Sequence, residues 1–304
     1  MSQRRCYSQQ LVAEHNEIPV VKATHLFELN RSSFYYDTKP TAIKRSARPL
    51  DPNLCNKLLG LRGYELTLGH RKTAHYLSKS TGVPVNHKKV YRHMKALKLL
   101  QPKHVRRPKM KKKSSVLWYC PLKSNMRWEA DLTVISYANG HVFLFSVIDV
   151  FDKELIGSHI GLRCRSEEAI STLKNAVQQR FLSDACPHEI ELVLRLDRGC
   201  QFTAHNFVET ARLMNISVEF CDIQAPNQKP FIESFFASFK IEEVYRSGGY
   251  ESPLQAIHAW PDYLYWYNNL RPHGALNYLS PVQFRNLCAN RCSKSTMLLD
   301  YSLV

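Results

Sequence analysis

The sequence predicts an α/β protein in which an all-helical, basic region precedes a sheet that is covered by helices. Between residues 51 and 100, apolar residues recur with helical spacing. After about residue 114, short apolar segments rich in β-branched and aromatic residues take over. The first of these segments resemble antiparallel strands and the later ones alternate with helices, which is typical of an α/β sheet.

The domain order follows from these changes of pattern. We expect an N-terminal segment at 1–50, a helical region at 51–101, a basic linker at 102–121, an α/β core at 122–285 and a C-terminal tail at 286–304. The N-terminal segment is polar and irregular, apart from HLFELNRSSFYY at 25–36, where Asn30 is a candidate helix cap. This stretch fits the second half of a helix-turn-helix and an isolated helical turn equally well.

Three short helices are predicted in the helical region, and the third is strongly basic. The first has an apolar face with i, i+4, i+7 spacing, formed by Leu54, Leu58 and Leu61. The second covers about 70–77, and the third begins after Pro84 with Asn86 as its N-cap. The apolar face of the third helix is formed by Val90, Met94 and Leu97. Its other faces carry Lys88, Lys89, Arg92, Lys95 and Lys98, and no acid.

A basic third helix suits a helix-turn-helix whose last helix enters a DNA groove. The alternative is a small basic bundle that contacts only phosphates. Both interpretations predict that Lys88, Lys89 and Arg92 contact DNA.

The charge of the whole chain points to the same kind of partner. Lys and Arg number 42 against 26 Asp and Glu, giving a formal net charge of +16. Such an excess attracts polyanions and releases counterions from phosphates. Residues 103–113 hold seven Lys or Arg and no acid, including Lys111, Lys112 and Lys113. We expect this run to be an exposed linker that lies on the phosphates of double-stranded DNA.

Other classes of protein lack support in the sequence. The N-terminus has no apolar signal-peptide segment, and no run approaches the roughly 18 apolar residues of a membrane helix. The nine cysteines form no CxxC pair, so neither a zinc site nor a disulfide framework is indicated. We expect reduced thiols in a cytoplasmic protein without a membrane partner.

The predicted core begins with three strands and continues with alternating helices and strands. The strands are expected at 127–134, 141–150, 154–160, 190–196 and 216–220, with Gly140 in the first turn. The helices are expected at 166–181, 204–214 and 230–245. Pro230 suits the first turn of the last helix, because that turn does not use its N–H.

Three acids in this layout are candidates for chemistry. Asp131 lies inside the first strand, Asp197 at the carboxyl end of the fourth, and Glu233 in the first turns of the late helix. Ligands gather at the carboxyl ends of strands in open α/β sheets. Carboxylate oxygens suit Mg²⁺ or Mn²⁺, and a pair of such ions serves phosphoryl transfer. Asp149 and Asp152 compete for the role of Asp131.

The spacing and flanking text resemble a known family. Asp197 and Glu233 are separated by 35 residues, and Lys240 follows seven residues after Glu233. With RWEADLT around Asp131, LDRGCQFTAHNF, FIESFFASFKIEEVY and the ending YNNLRPHGALNYLSPVQF, this resembles the D…D-35-E…K/R signature of retroviral-integrase-like transposases. The chain most resembles OrfB, the second-frame product of bacterial insertion sequences with two overlapping frames, over residues 25–285.

The resemblance implies an RNase H-like core with a mixed five-stranded sheet and flanking helices, behind an all-α helix-turn-helix-like region. It implies that Asp131, Asp197 and Glu233 hold two Mg²⁺ or Mn²⁺ ions, and that Lys240 and Arg198 contact DNA. The implied reaction is hydrolysis that frees a 3′-OH at the element end, followed by attack of that 3′-OH on target DNA. It further implies a bacterial protein that forms a homo-oligomer on DNA and is associated with the nucleoid when bound there. An upstream first-frame product is the implied partner, by fusion or by association.

The sequence departs from the family pattern at three places, one of which is LTLGHRK at 66–72, where the family has a tighter glycine-tyrosine-arginine text. Lys229 and Pro230 replace an Asn-Gly type turn, and Cys200 stands where a serine is common. Two alternatives follow: a catalytically inactive or domesticated DNA-binding protein, and a nuclease that acts on RNA–DNA hybrids.

Overall fold

The computed structural model describes residues 2–35, 49–101, 121–222, 228–246 and 248–300, with side chains as far as residue 290. The chain divides into two compact units, Met1–Leu50 and Asp51–Val304. In the described part, no helix combines the length and apolar character needed to cross a bilayer. The seven cysteines described there, Cys6, Cys55, Cys164, Cys186, Cys200, Cys221 and Cys288, are free thiols, as predicted.

The first unit contains three helices, α1 (Ser2–Glu14), α2 (Val20–Leu26) and α3 (Arg31–Phe34). We expected residues 1–50 to be irregular apart from 25–36, and this expectation is wrong for α1 and for the start of α2. The apolar residues of α1, which are Cys6, Tyr7 and those at 11–13, do not gather on one face, so they give no amphipathic helical pattern. Asn30 does precede α3, but its side chain makes no capping hydrogen bond.

The predicted helical region folds as α4 (Pro52–Leu59), a 3₁₀ turn (Gly63–Thr67), α5 (His70–Thr81) and α6 (His87–Ala96). Asn86 caps α6 as predicted, accepting a hydrogen bond from the Lys88 N–H at 2.8 Å. Helix α5 runs one turn past its predicted end and stops where Gly82 adopts a left-handed conformation. The small core of this region confirms the predicted faces and is formed by Leu54, Leu58, Leu61, Ala74, Leu77, Val90 and Met94.

A five-stranded mixed sheet forms the centre of the second unit. Its strands are β1 (Arg127–Tyr137), β2 (Gly140–Asp149), β3 (Leu155–Gly161), β4 (Leu192–Leu196) and β5 (Ile216–Phe220). The spatial order is β3-β2-β1-β4-β5. The pairs β1–β2 and β2–β3 are antiparallel, whereas β4 is parallel to both β1 and β5. The predicted fold class is confirmed, although β1 extends three residues beyond its predicted end.

Helices cover both faces of the sheet. They are α7 (Ser166–Phe181), α8 (Cys200–Thr203), α9 (His205–Leu213), α10 (Pro230–Phe239), α11 (Pro253–Tyr265) and α12 (Pro281–Asp300). One core lies against α7 and α9 and includes Trp128 and Phe145, and the other lies against α10 and α11 and includes Leu144 and Phe235. Alternate residues of β1 and β2 enter opposite cores because successive strand side chains point to opposite faces.

The predicted helix at 230–245 changes geometry part-way. Helix α10 ends at Phe239, and a π-helical turn, Lys240–Val244, follows. This turn buries the carboxylates of Glu242 and Glu243. Glu242 meets Arg271, which follows a second π turn, Trp266–Leu270. Sequence periodicity could not locate the change, because the partner of Glu242 is 29 residues away.

The helical region packs on the core through aromatic rings. Tyr64 stacks on Trp266 with ring centroids 5.9 Å apart, and Tyr76 meets the same ring edge-on at 6.3 Å. Helix α5 also brings Lys72 close to the Arg271–Glu242 pair. Replacement of Lys72 therefore tests the electrostatics of this contact.

Replacing Lys72 with Met should stabilise the protein near neutral pH and lose that effect in alkali. Burial, followed by the nearby Arg271 guanidinium, lowers the pKa of Lys72 from 10.5 to about 8. Between those values the unfolded chain holds the proton and the folded chain does not, so wild-type stability rises with pH across this window. Urea denaturation of both proteins at about pH 7 and about pH 9.5 measures the change. A difference between variant and wild type that is equal at both pH values would contradict the prediction.

Candidate active site

Two of the predicted acids lie on neighbouring parallel strands. Strand β1 pairs with β4 so that Trp128 faces Leu194 and Glu129 faces Arg195. Two residues further along each chain are Asp131 and Asp197, the latter directly after the last residue of β4. The register of the sheet therefore brings these two carboxylates side by side.

A single cation joins the two carboxylates. The Nζ atom of Lys229 lies 3.1 Å from Asp131 Oδ1 and 3.6 Å from Asp197 Oδ2. It also donates to the backbone oxygen of Ala130 at 3.3 Å. The Lys229 side chain is 7% exposed, whereas that of Asp131 is 18% and that of Asp197 50% exposed. Asp131 thus forms the floor of the site and Asp197 its open side.

The environment of Asp131 differs from that of a surface acid. Burial raises the pKa of Asp131 above its ordinary value, and the Lys229 ammonium opposes that rise. The backbone N–H of Leu132 donates to Asp131 Oδ1 at 2.8 Å. For Asp197, the Gly199 N–H donates to Oδ1 at 3.2 Å. Each carboxylate is thus oriented by a backbone hydrogen bond and keeps oxygens for a cation.

The third acid, Glu233, lies in the first turn of α10 on an exposed position. Its backbone N–H donates to the oxygen of Lys229 at 3.2 Å. Glu233 is therefore four positions after the lysine that contacts the other two acids. Among the described residues, no group of three or more His, Cys, Asp or Glu is arranged as a ready-made metal cage. The structure brings Asp131 and Asp197 together and places Glu233 one helical turn from their shared lysine.

Glu129 fixes the start of α10 on β1. Its Oε2 atom accepts hydrogen bonds from the N–H groups of Phe231 and Ile232, both at 3.0 Å. The first N–H groups of a helix have no partner within the helix, and a carboxylate there also suits the helix dipole. Burial raises the pKa of Glu129 to about 7, against the two hydrogen bonds that favour its charged form.

Sequence reasoning missed both Glu129 and Lys229 as parts of the site. The only signal for Glu129 is its position two residues before Asp131, which places both on one face of an apolar strand. The signal for Lys229 is its place directly before the helix that carries Glu233. Neither signal predicts a contact across roughly 100 residues of chain, which only the folded sheet creates.

The rival acids Asp149 and Asp152 have structural partners elsewhere. Both are fully buried, and the Arg180 guanidinium donates to Asp152 at 2.9 and 3.0 Å. Asp149 accepts hydrogen bonds from the Trp128 indole and from the Asn125 N–H. Burial, then the neighbouring Asp152, raises the pKa of Asp149 to about 6. These acids join the β2–β3 connection to α7, and of the three only Asp131 lies beside Asp197.

The two predicted DNA-contacting residues of the core, Arg198 and Lys240, have no described contact with the three acids. Arg198 is exposed, and its Nε donates to the Cys221 oxygen at 3.3 Å. Lys240 lines a cleft of about 440 Å³ together with Val134, Ser136 and Tyr245. The role of both cations in binding DNA is therefore a proposal.

The predicted DNA-contacting residues of α6 differ in their surroundings. Lys88 is exposed, whereas Lys89 forms an ion pair of 2.6 Å with Asp51, the N-cap of α4. Arg92 is half-buried. Lys111, Lys112 and Lys113 lie outside the described residues.

A β3-β2-β1-β4-β5 sheet with paired carboxylates on its inner strands β1 and β4, and a third acid on α10, is the arrangement of the RNase H-like polynucleotidyl transferases. Comparison with known proteins gives the same result. Two models of the integrase core domain match residues 121–226 and 233–287, and a model of an HTH-like domain matches 62–109. The chain belongs to the integrase-core transposases of bacterial insertion sequences and is a DNA transposase.

The relatives resemble the chain over most of its length. A 39.2 kDa protein of insertion element IS476 from Xanthomonas euvesicatoria is 25% identical, over 93% of this chain and 77% of its own. A 31.7 kDa protein of insertion element IS407 from Burkholderia multivorans is 26% identical, over 90% of this chain and 92% of its own. The transposase of insertion sequence element IS904 from Lactococcus lactis is 27% identical, over 53% and 61%.

Among solved structures, the chain is similar to one of the simian T-cell lymphotropic virus intasome. The sequence identity is 18% and the TM-score 0.48, over 69% of this chain and 73% of that one. The HTLV-2 integrase catalytic core in complex with magnesium is 18% identical with a TM-score of 0.42, over 54% and 98%.

Proposed function

We propose that Asp131, Asp197 and Glu233 hold two divalent ions, Mg²⁺ or Mn²⁺, with which the enzyme cuts and joins DNA strands. The observation that supports this most directly is the Lys229 ammonium, which contacts both Asp131 and Asp197. One positive charge already fits between these two carboxylates, and carboxylate oxygens are the donors that Mg²⁺ and Mn²⁺ prefer. When bound, the ions would activate the attacking oxygen and stabilise the leaving oxygen in phosphoryl transfer.

The three acids differ in exposure, and we assign their roles accordingly. Asp131 is held in a largely buried position by its strand and by the Leu132 N–H. Asp197 and Glu233 face outward, where the phosphodiester of a bound duplex can approach. Glu129 keeps α10, and hence Glu233, at a constant position relative to β1. The reaction is hydrolysis that frees a 3′-OH at the element end, followed by attack of this 3′-OH on target DNA.

Lys240 and Arg198 are proposed to bind DNA next to the scissile phosphate. Seven residues are almost two helical turns, so Glu233 and Lys240 are about 10 Å apart along one side of α10 and its π turn. Arg198 directly follows Asp197 and is exposed. We propose that both cations neutralise DNA phosphates near the acids and do not themselves bind the acids.

The test is a strand-transfer assay with the full chain, a labelled duplex that carries an element end, and Mn²⁺. A nick that leaves a 3′-OH, followed by a joined product of higher mass, is the expected result. A covalent protein–DNA adduct, or equal activity in EDTA, would contradict the proposal. An RNA–DNA hybrid in a parallel reaction addresses the rival nuclease, which would cut the hybrid in preference to the DNA duplex.

Replacing Lys111, Lys112 and Lys113 together with Gln should weaken binding to all duplexes about equally. Each lost phosphate contact removes about 0.9 from the slope of log K against log salt, so the slope should fall by about 2 to 3. Fluorescence anisotropy over a series of NaCl concentrations measures both quantities. Lys174→Gln, a change at an exposed position of α7, is the control and should leave the slope unchanged. An unchanged affinity and slope in the triple variant would show that the linker does not contact phosphate.

We further propose that the active form is at least a dimer on DNA, since transposition requires two element ends to be held together. Fusion to or association with a first-frame product would add the recognition of those ends. Comparing the chain alone with such a fusion on paired-end DNA tests this, and full end-specific activity of the lone chain would contradict it.

A further inference from the structure

Lys229 is a buried lysine whose ammonium group has all its described partners inside the candidate site. Its Nζ contacts Asp131 Oδ1 at 3.1 Å, Asp197 Oδ2 at 3.6 Å and the Ala130 oxygen at 3.3 Å. The ammonium therefore pairs closely with Asp131 and the Ala130 carbonyl, and forms a longer ion pair with Asp197. In this arrangement the lysine acts as an internal counter-ion for the two acids.

The position of this ammonium conflicts with that of a metal ion. A Mg²⁺ ion binds oxygen at about 2.0–2.1 Å, so an ion that bridged the two carboxylates would occupy the space that Nζ fills. Two cations in such a largely buried position also repel each other strongly, because the local dielectric constant is low. Metal binding to this pair therefore requires the ammonium to leave.

The backbone allows the side chain to leave without disturbing α10. Pro230 fixes the backbone directly after Lys229, and Glu129 holds the next two N–H groups. The movement is then confined to the flexible four-carbon stem of the lysine, which can rotate once the ammonium has lost its contacts with the two acids. The helix that carries Glu233 stays in place.

We propose that Lys229 is a built-in competitor for the divalent metal: it stabilises the acid pair in the metal-free enzyme and is expelled when the metal binds. This inference rests on the proposed metal-binding role of Asp131 and Asp197. In consequence, the metal-free chain tolerates two adjacent carboxylates, and the site fills only at a higher metal concentration than the acids alone would require. Lys229 is a positioning residue, since it acts through the acids.

Removing the ammonium should strengthen metal binding. For Lys229→Gln in the full chain without DNA, the Kd for Mn²⁺, measured from the EPR signal of free Mn²⁺, should fall at least about tenfold, because the competing charge is gone. Thermal unfolding without metal should show a lower Tm than wild type, and Mn²⁺ should raise the Tm of the variant more than that of wild type. Lys174→Gln removes one exposed lysine from α7 and should match wild type in all three measurements. An unchanged or weaker Mn²⁺ affinity in Lys229→Gln would overturn the proposal.

A second measurement uses the wild-type protein and does not depend on the folding of a variant. Amine acetylation followed by mass spectrometry should leave Lys229 unlabelled without metal, since its side chain is 7% exposed. Saturating Mn²⁺ should make Lys229 reactive. Continued protection while Mn²⁺ is bound would overturn the inference.

Asp131→Asn separates this inference from the proposal on which it rests. Loss of Mn²⁺ binding in Asp131→Asn, combined with no effect of Lys229→Gln, would reject only the competition. Undiminished Mn²⁺ binding in Asp131→Asn would reject the metal-binding role of the acid itself, and the competition with it.

Discussion

Asp197→Asn is expected to lower DNA cleavage and strand transfer by at least about a thousandfold, while DNA affinity stays within about twofold of wild type. A thousandfold corresponds to about 4 kcal/mol of transition-state stabilisation, which is the scale of a metal ion's contribution. The amide removes a negative charge from the carboxylate that forms the open side of the site. The fold should survive, because the Asp197 side chain is half exposed and an amide oxygen can still accept the Gly199 N–H.

Asp262→Asn is the matched control for this prediction. Asp262 is exposed on α11, so its replacement makes the same chemical change away from the acids and should leave both rates unchanged. Single-turnover assays on a pre-nicked duplex and on an intact one separate strand transfer from cleavage. Wild-type rates in Asp197→Asn would remove this residue from the mechanism.

Arg271→Met is expected to lower the free energy of unfolding by about 3–5 kcal/mol, the cost of leaving a buried charge without its partner. The Arg271 guanidinium donates to both oxygens of Glu242 at 2.6–3.0 Å, and both side chains are less than a tenth exposed. The Tyr263 hydroxyl also donates to Glu242, at 3.3 Å. Without the arginine, the carboxylate would remain buried with that hydroxyl as its described hydrogen-bond donor and with Lys72 as a nearby cation.

The double variant Glu242→Gln/Arg271→Met identifies the origin of this loss. If the cost comes from an unpaired buried charge, the double variant should be more stable than Arg271→Met alone, since the charge is removed as well. Arg212→Met is the surface control: its partner Glu209 and Arg212 itself are 42% and 70% exposed, and little change is expected. Urea denaturation measures all four proteins. A double variant that is less stable than the single one would contradict the explanation.

The sequence was sufficient to predict the strands, their mixed character and the positions of the three acids in the elements. These features depend on local patterns: alternation in β1, a strand that ends at Asp197, and a proline before Glu233. The helical region was also predictable, because Leu54 and its neighbours repeat with the helical period. The assignment of catalytic roles to the acids remains a prediction.

The features that the sequence could not provide depend on contacts between distant segments. The ion pair between Lys89 and Asp51 spans 38 residues, and it turns one predicted DNA-contacting lysine into a partner of a helix cap. The contact of Lys229 with Ala130 spans 99 residues. Patterns of charge and hydropathy describe a residue's own element, so they do not reveal which buried charge will meet which partner.

The pairing of β1 with β4 also determines when, during translation, the enzyme can become active. Strands β1, β2 and β3 follow one another along the nascent chain and can form their antiparallel pairs early. Asp131 comes to lie beside Asp197 only after residues 192–196 have been synthesised and have joined the sheet. The N–H groups that Glu129 holds belong to residues that emerge still later. A ribosome that stalls before this point therefore carries a partly folded sheet without the complete set of acids to which we assign the chemistry, and with that assignment a truncated product should not nick DNA.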